Sequence, residues 1–214
     1  MPALDATSQN PGTIRQSTEA LILAAAEQVF ARRGYEGTRM TEIAAAAGLP
    51  KANLHYYFGT KERLYRTVLE TILGDWLSAA AEWIVPDRAP AEALTGYIAA
   101  KMAHARRRPQ ASRIFASELL RGAPHIMSFL SDDLRRRVAE MSTTIAHWAA
   151  TRRMDPIAPA HLLYCIWAMT QTYADFDVQI RATLGTSEVS DTEFATATAT
   201  VTALILKGCG LRAA

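Results

Sequence analysis

The chain has 214 residues, half of them apolar, a formal net charge of +2 and two cysteines, Cys165 and Cys209. That length and apolar content allow one large or two small domains with a substantial core, and they exclude fibrous, collagen-like and wholly disordered classes. No apolar run approaches the roughly 20 residues needed to span a bilayer, so no membrane partner is expected.

The first residues, MPALDATSQNPGT, carry neither a basic n-region nor an apolar h-region. They read as a flexible tail (1–13) and not as a signal peptide. The cysteines lie far apart in no metal-ligand spacing, which points to a reducing, cytoplasmic compartment. Ile22, Ala25, Ala26, Val29 and Phe30 then repeat at helical spacing, with Gly34 suited to the C′ position. Thr41 is placed to cap a short helix with Ile43, Ala44 and Ala47, which Gly48 ends. A second short helix puts Leu54, Tyr57 and Phe58 on one face. Gly59-Thr60 breaks it, and Thr60 can cap a long helix through Leu64, Val68, Ile72, Trp76 and Trp83.

Pro90 suits the first turn of the next helix, which carries Leu94, Tyr97, Ile98 and Met102. Further helices are predicted around Ile114, Phe115 and Leu119, over about 126–152, as one piece over about 161–184, and after GTSEVSD. No alternating strand pattern and no internal repeat interrupts this series. The expectation is an all-α protein of about nine helices, with a head over 14–60 and a body over 61–214.

The stretch GLPKANLHYYFGTKERLY, residues 48–65, crowds aromatic and basic side chains together. Residues 1–66 carry eight Lys+Arg against six Asp+Glu, whereas the remainder carries fifteen of each, so the small surplus sits beside this stretch. Two short helices joined by a Gly-containing turn make a helix-turn-helix, whose second helix can enter the major groove. On that helix Ala52, Asn53, His55 and Tyr56 point outward or sideways, and Lys51 lies on the first turn. Asn suits adenine, Tyr can donate to a phosphate oxygen, and Ala52 is small enough to allow close approach. Lys61 and Thr41 stand at helix starts, where backbone N–H groups favour phosphate. The bland alternative is that helix pairs joined by Gly turns are simply common.

The order of residues goes further. ILAAAEQVFARRGYEGTRMTEIAAAAG, then HYYF, then TKERLY resembles the TetR family of transcriptional regulators. The resemblance implies a DNA-binding head in which Tyr57 and Lys61 touch phosphates. Pro50 departs from the family pattern, which has a hydroxyl residue there to cap the recognition helix. In the body, RPQASRIFASELLRGAP, WAATRRMDPIAPAHLLYCIWAMTQTYADF and the surroundings of Trp76 resemble the RutR-type subgroup, which controls pyrimidine utilisation and binds uracil or thymine. That resemblance implies double-stranded operator DNA and a uracil- or thymine-like effector as partners, in a probable-repressor role.

The residues offer a separate check. Tyr164, Trp167, Ala168, Gln171 and Asp175 form one helical stripe that is polar for a pure core. Gln171 can pair with the N–H and C=O edge of a pyrimidine, while Trp167 and Trp76 offer flat faces and Phe115 part of the wall. Against this stands an ordinary core with a satisfied Gln171. The five histidines, His55, His104, His125, His147 and His161, show no metal spacing, so neither metal nor cofactor is expected. The last two predicted helices are apolar on more than one face, which points to a homodimer matching a palindromic operator. Two rivals remain: a regulator of efflux or lipid genes with a lipophilic effector, and an all-α enzyme. The enzyme reading finds no triad order, metal-protease motif or Gly-rich phosphate loop.

Overall fold

The computed structural model describes residues 11–212; most of the expected N-terminal tail lies outside the described residues. Among these there is no strand, and ten helices follow in order: α1 Pro11–Gly37, α2 Met40–Ala47, α3 Lys51–Phe58, α4 Lys61–Trp83, α5 Pro90–Arg107, α6 Pro109–Leu120, α7 Arg135–Ala150, α8 Pro159–Asp175, α9 Asp177–Leu184 and α10 Asp191–Gly208. A helical turn, Met127–Phe129, and a π-helical stretch, Leu130–Leu134, lead into α7. The chain divides into two compact units, at Val68 and Leu69 within α4.

In the first unit, α1 kinks at Gly34, three residues before its end, where a φ of 67° favours a residue without Cβ. Ile22, Ala26, Val29 and Phe30 of α1 are buried, as are Ile43, Ala44 and Ala47 of α2, Leu54 and Phe58 of α3, and Leu64, Tyr65 and Val68 of α4. Phe30 meets Tyr65 edge-on at 4.7 Å, and Tyr35 tilts against Tyr65 at 4.9 Å, so the aromatic residues bind α1 to the start of α4. Thr60 caps α4 as its sequence position suggests: its hydroxyl accepts the Arg63 N–H at 3.1 Å. Thr41 does not cap α2. It is the second residue of that helix, and the Glu42 carboxylate instead accepts the N–H of Arg39 at 3.0 Å, closing the N-terminus at a residue two positions earlier.

The second unit is built around Leu94, Tyr97, Ile98 and Met102 of α5, which pack with Ile145 and Trp148 of α7, Leu162, Leu163 and Ile166 of α8, and Val201 and Ile205 of α10. Pro90 stands in the first turn of α5, where its missing N–H costs nothing. Trp148 donates its indole N–H to the Pro86 carbonyl at 3.0 Å, and Arg153 donates to Pro86 and Arg88, so the α4–α5 connection is stapled to the end of α7.

The expected single helix over about 161–184 is two. It breaks at Phe176, whose backbone lies at φ −118°, ψ 29°. The cause is Arg113 on α6: its Nε donates to the Ala174 carbonyl at 2.9 Å, and another of its nitrogens pairs with Asp177 at 2.6 Å. Arg113 thus occupies the acceptor that residue 178 would need to continue α8.

Candidate functional site

The DNA-facing candidates of the head converge on α3. Leu54 and Phe58 bury one side of this helix, which fixes its rotation. Lys51, Ala52, His55 and Tyr56 are all exposed, and at spacings of one, four and five they form one stripe beside the buried pair. Asn53 and Tyr57 flank it, half-buried. Tyr57 therefore stands at the margin of the stripe and not in the core, and its ring meets that of Tyr56 edge-on at 5.1 Å.

The turn into α3 uses Gly48 at φ 66°, ψ 27°, with the Leu49 N–H donating to the Ala44 carbonyl at 3.0 Å. Pro50 occupies the N-cap position and gives no side-chain cap, so the first N–H groups of α3 remain available. At the other end, the His55 ring bonds the Gly59 carbonyl through Nδ1 at 2.8 Å.

Lys61 is engaged within the head. Its ammonium donates to the carbonyls of Tyr35 at 2.9 Å and Thr38 at 3.2 Å, and lies 4.3 Å from the centre of the Tyr35 ring. It clamps the segment between α1 and α2 against the start of α4, and two of its three donors are spent there.

The body brings Trp76 of α4 and Phe115 of α6 together edge-on at 5.1 Å. Trp167 and Tyr164 of α8 are found elsewhere on that stripe. The Trp167 indole donates to the Tyr97 hydroxyl at 2.7 Å, while Tyr164 is half exposed and tilts against Trp167 at 5.5 Å. Gln171 is half-buried, one turn after Trp167 and one turn before Asp175.

The sequence reading missed Lys101, on α5. It is 5% exposed, and its ammonium lies over the Trp76 ring, 4.4 Å from the centroid. Burial pulls its pKa down to about 8, against the opposing pull of the nearby Asp175 charge. No hydrogen bond or ion pair holds this ammonium among the described residues. Every fully enclosed side-chain nitrogen or oxygen there does have a partner. The Lys101 ammonium is therefore not fully enclosed.

Asp175 completes the group. Its carboxylate accepts the Ser112 hydroxyl at 2.6 Å, and burial pushes its pKa up, countered by Ser112, Lys101 and Arg113. Tyr97 and Lys101 are one turn apart on α5, and Trp167 and Asp175 two turns apart on α8. The Tyr97–Trp167 bond and the Lys101–Asp175 attraction therefore bracket Gln171. The Lys101 cation thus lies against an indole face within the influence of the Asp175 carboxylate, with Gln171 one turn from Asp175 along α8. Among the described residues no cluster of three His, Cys, Asp or Glu could hold a metal ion.

Residues 22–68 match the family of bacterial regulatory proteins called the tetR family, and residues 69–212 match the YcdC-like protein C-terminal region. The two matches meet where the two structural units meet. The chain is 42% identical over 187 residues to the HTH-type transcriptional regulator RutR of Escherichia coli K12, covering 87% of this chain and 88% of that protein. Its fold is similar to that of a tetR-family regulatory protein from Rhodococcus RHA1, with a TM-score of 0.71 and 24% identity over 91% of this chain and 98% of the other. It is also similar to AibR, solved with isovaleryl coenzyme A and operator DNA, with a TM-score of 0.70 and 17% identity over 87% of this chain and 97% of that one.

Proposed function

Because the chain belongs to the TetR family of transcriptional regulators, we propose that it binds a palindromic operator as a two-fold dimer and is released by a planar pyrimidine base such as uracil or thymine. The observation that carries the effector assignment is the Lys101 ammonium, buried over Trp76 without a hydrogen-bond partner among the described residues. A base carbonyl would accept from Lys101, and a ring N–H would donate to Asp175 or Gln171. The 42% identity to RutR agrees with the RutR-type resemblance of the sequence, and it is that resemblance which implies a uracil- or thymine-like effector. A lipophilic cation is disfavoured, because a buried ammonium would repel it. Among the described residues no helix is long and apolar enough to cross a membrane.

The DNA-facing set is the stripe Lys51, Ala52, His55 and Tyr56 with Asn53 and Tyr57 at its margins, supported by Thr41 and Lys61 at helix starts. Lys51 and Lys61 separate two roles. Lys51→Ala is expected to lower the slope of log affinity against log salt by about one and to leave thermal unfolding unchanged, since its side chain is exposed. Lys61→Ala is expected to destabilise the protein by roughly 1–3 kcal/mol, because the carbonyls of Tyr35 and Thr38 lose their shared donor. Salt titrations of operator binding beside melting curves check both. Equal melting temperatures for Lys61→Ala and wild type would contradict the clamp.

Dimerisation is assigned to the outward faces of α8 and α10. Tyr164, Cys165 and Ala168 are exposed on α8, and Ala199, Thr200, Ala203 and Leu204 on α10, opposite residues buried in the core. A second copy would cover these small and apolar side chains and bring its own α3 to the second half-site. Calorimetry with uracil, thymine and cytosine tests the effector. Heat with uracil or thymine is the expected result; silence with every pyrimidine base would remove the ligand assignment and leave the head untouched.

A further inference from the structure

We propose that His55 reads a base, with its ring preset by the Gly59 carbonyl to accept a hydrogen bond from an exocyclic amine in each half-site. This rests on the DNA-binding reading above and goes beyond it by fixing which chemical groups the position selects. A carbonyl oxygen only accepts, so the 2.8 Å contact between it and Nδ1 requires the proton on Nδ1. In the neutral ring the other nitrogen, Nε2, is then a lone-pair acceptor.

The carbonyl is held in place by the backbone. Gly59 lies at φ 71°, ψ −74°, and the Thr60 N–H donates across it to the Phe58 carbonyl at 2.8 Å, which makes a γ-turn. The Gly59 N–H in turn donates to the His55 carbonyl at 3.0 Å, so residues 55 and 59 are tied in both directions. This positive-φ turn would be strained for any residue with a Cβ, and glycine adopts it freely. His55 is exposed within the stripe and is oriented before DNA arrives, so little rotamer freedom is lost on binding.

In the major groove an acceptor matches the amine of adenine or cytosine. The opposite tautomer would present a donor and match guanine N7 and O6, adenine N7 or thymine O4, so removal of the amine is what separates the two. The bond to Gly59 therefore selects adenine or cytosine on the strand that His55 faces.

The test is selection of operators from a random duplex library at neutral pH by the wild type and by His55→Ala. It is paired with duplexes in which the amine of the selected base is replaced by hydrogen, and with ¹⁵N spectra of the histidine rings. The wild type is expected to select adenine or cytosine at one position per half-site and to lose about tenfold in affinity when that amine is removed. His55→Ala is expected to lose that preference and to be indifferent to the amine, and the His55 proton is expected on Nδ1. Unchanged selection by His55→Ala, or a proton on Nε2, would overturn the proposal. Failure of the wild type to select any sequence would overturn the DNA-binding reading itself. The amine deletion needs no protein variant, so an unfolded His55→Ala would leave the test intact.

Discussion

Lys101→Met is expected to make the ligand-free protein more stable at neutral pH and to weaken effector binding by about ten- to a hundredfold. Both effects have one origin. A lysine lowered from 10.5 to about 8 is penalised in its charged form by about 3 kcal/mol at neutral pH. Methionine keeps most of the side-chain volume, can still lie against Trp76, and carries no charge to desolvate. It cannot donate to a carbonyl.

The pH dependence gives an internal control. Between about pH 8 and the unfolded value near 10.5, the unfolded chain binds the lysine proton and the folded one does not, so stability should rise with pH. Above pH 10 the trend should reverse. Tyr97, pushed up to about 12 by burial, keeps its proton folded and loses it unfolded. Denaturant titrations across pH 7–11 should show the first rise in the wild type and not in Lys101→Met. A Lys101→Met protein that is less stable, or that binds uracil and thymine unchanged, would contradict a ligand-ready ammonium.

Gly96→Ala is expected to destabilise the body by roughly 1–3 kcal/mol, the usual cost of overpacking. Gly96 is helical in α5, and a methyl group there would fall inside the Trp83 ring. That ring also carries the Arg88 guanidinium on its face at 4.5 Å, so it cannot move without breaking a second contact. Combining Gly96→Ala with Trp83→Ala separates the causes. The double variant should lose less than the sum of the single losses, because the methyl then meets open space. Strict additivity in chemical unfolding would place the cost in the α5 backbone instead.

Helix periodicity carried the all-α class and most element positions, because the apolar stripes of α1, α4 and α5 are long and each is bounded by Gly, Pro or Thr. The cap at Thr60 was readable from local chemistry alone. The break at Phe176 was not, since its cause is Arg113, more than sixty residues away. Thr41 misled because a hydroxyl near a helix start resembles a cap, while the N-cap position is Arg39, two residues earlier, closed by Glu42.

Lys101 was legible in retrospect. It falls on the stripe Leu94, Tyr97, Ile98, Lys101, Met102 and Ala105, all of them buried, and a lysine at a core position is a chemical signal. Trp76 and Phe115 were picked out by residue type and do meet. The partnership of Asp175 with Ser112 joins two helices through one hydroxyl, and spacing within either helix could not reveal it.

Occupation of the proposed effector site in the body is expected to govern operator affinity. Trp76, against which the effector would lie, belongs to α4, the helix that begins at Lys61 beside the recognition helix. Both the ligand and the operator would therefore bias this one helix, and by linkage each should weaken the other by the same factor. The direct measurement is operator titration with and without saturating uracil or thymine, in the wild type and in Lys101→Met. A loss of operator affinity of about five- to 150-fold is expected in the wild type, and no response in the variant. Equal operator affinity with and without ligand in the wild type, under conditions where calorimetry shows the ligand bound, would contradict it.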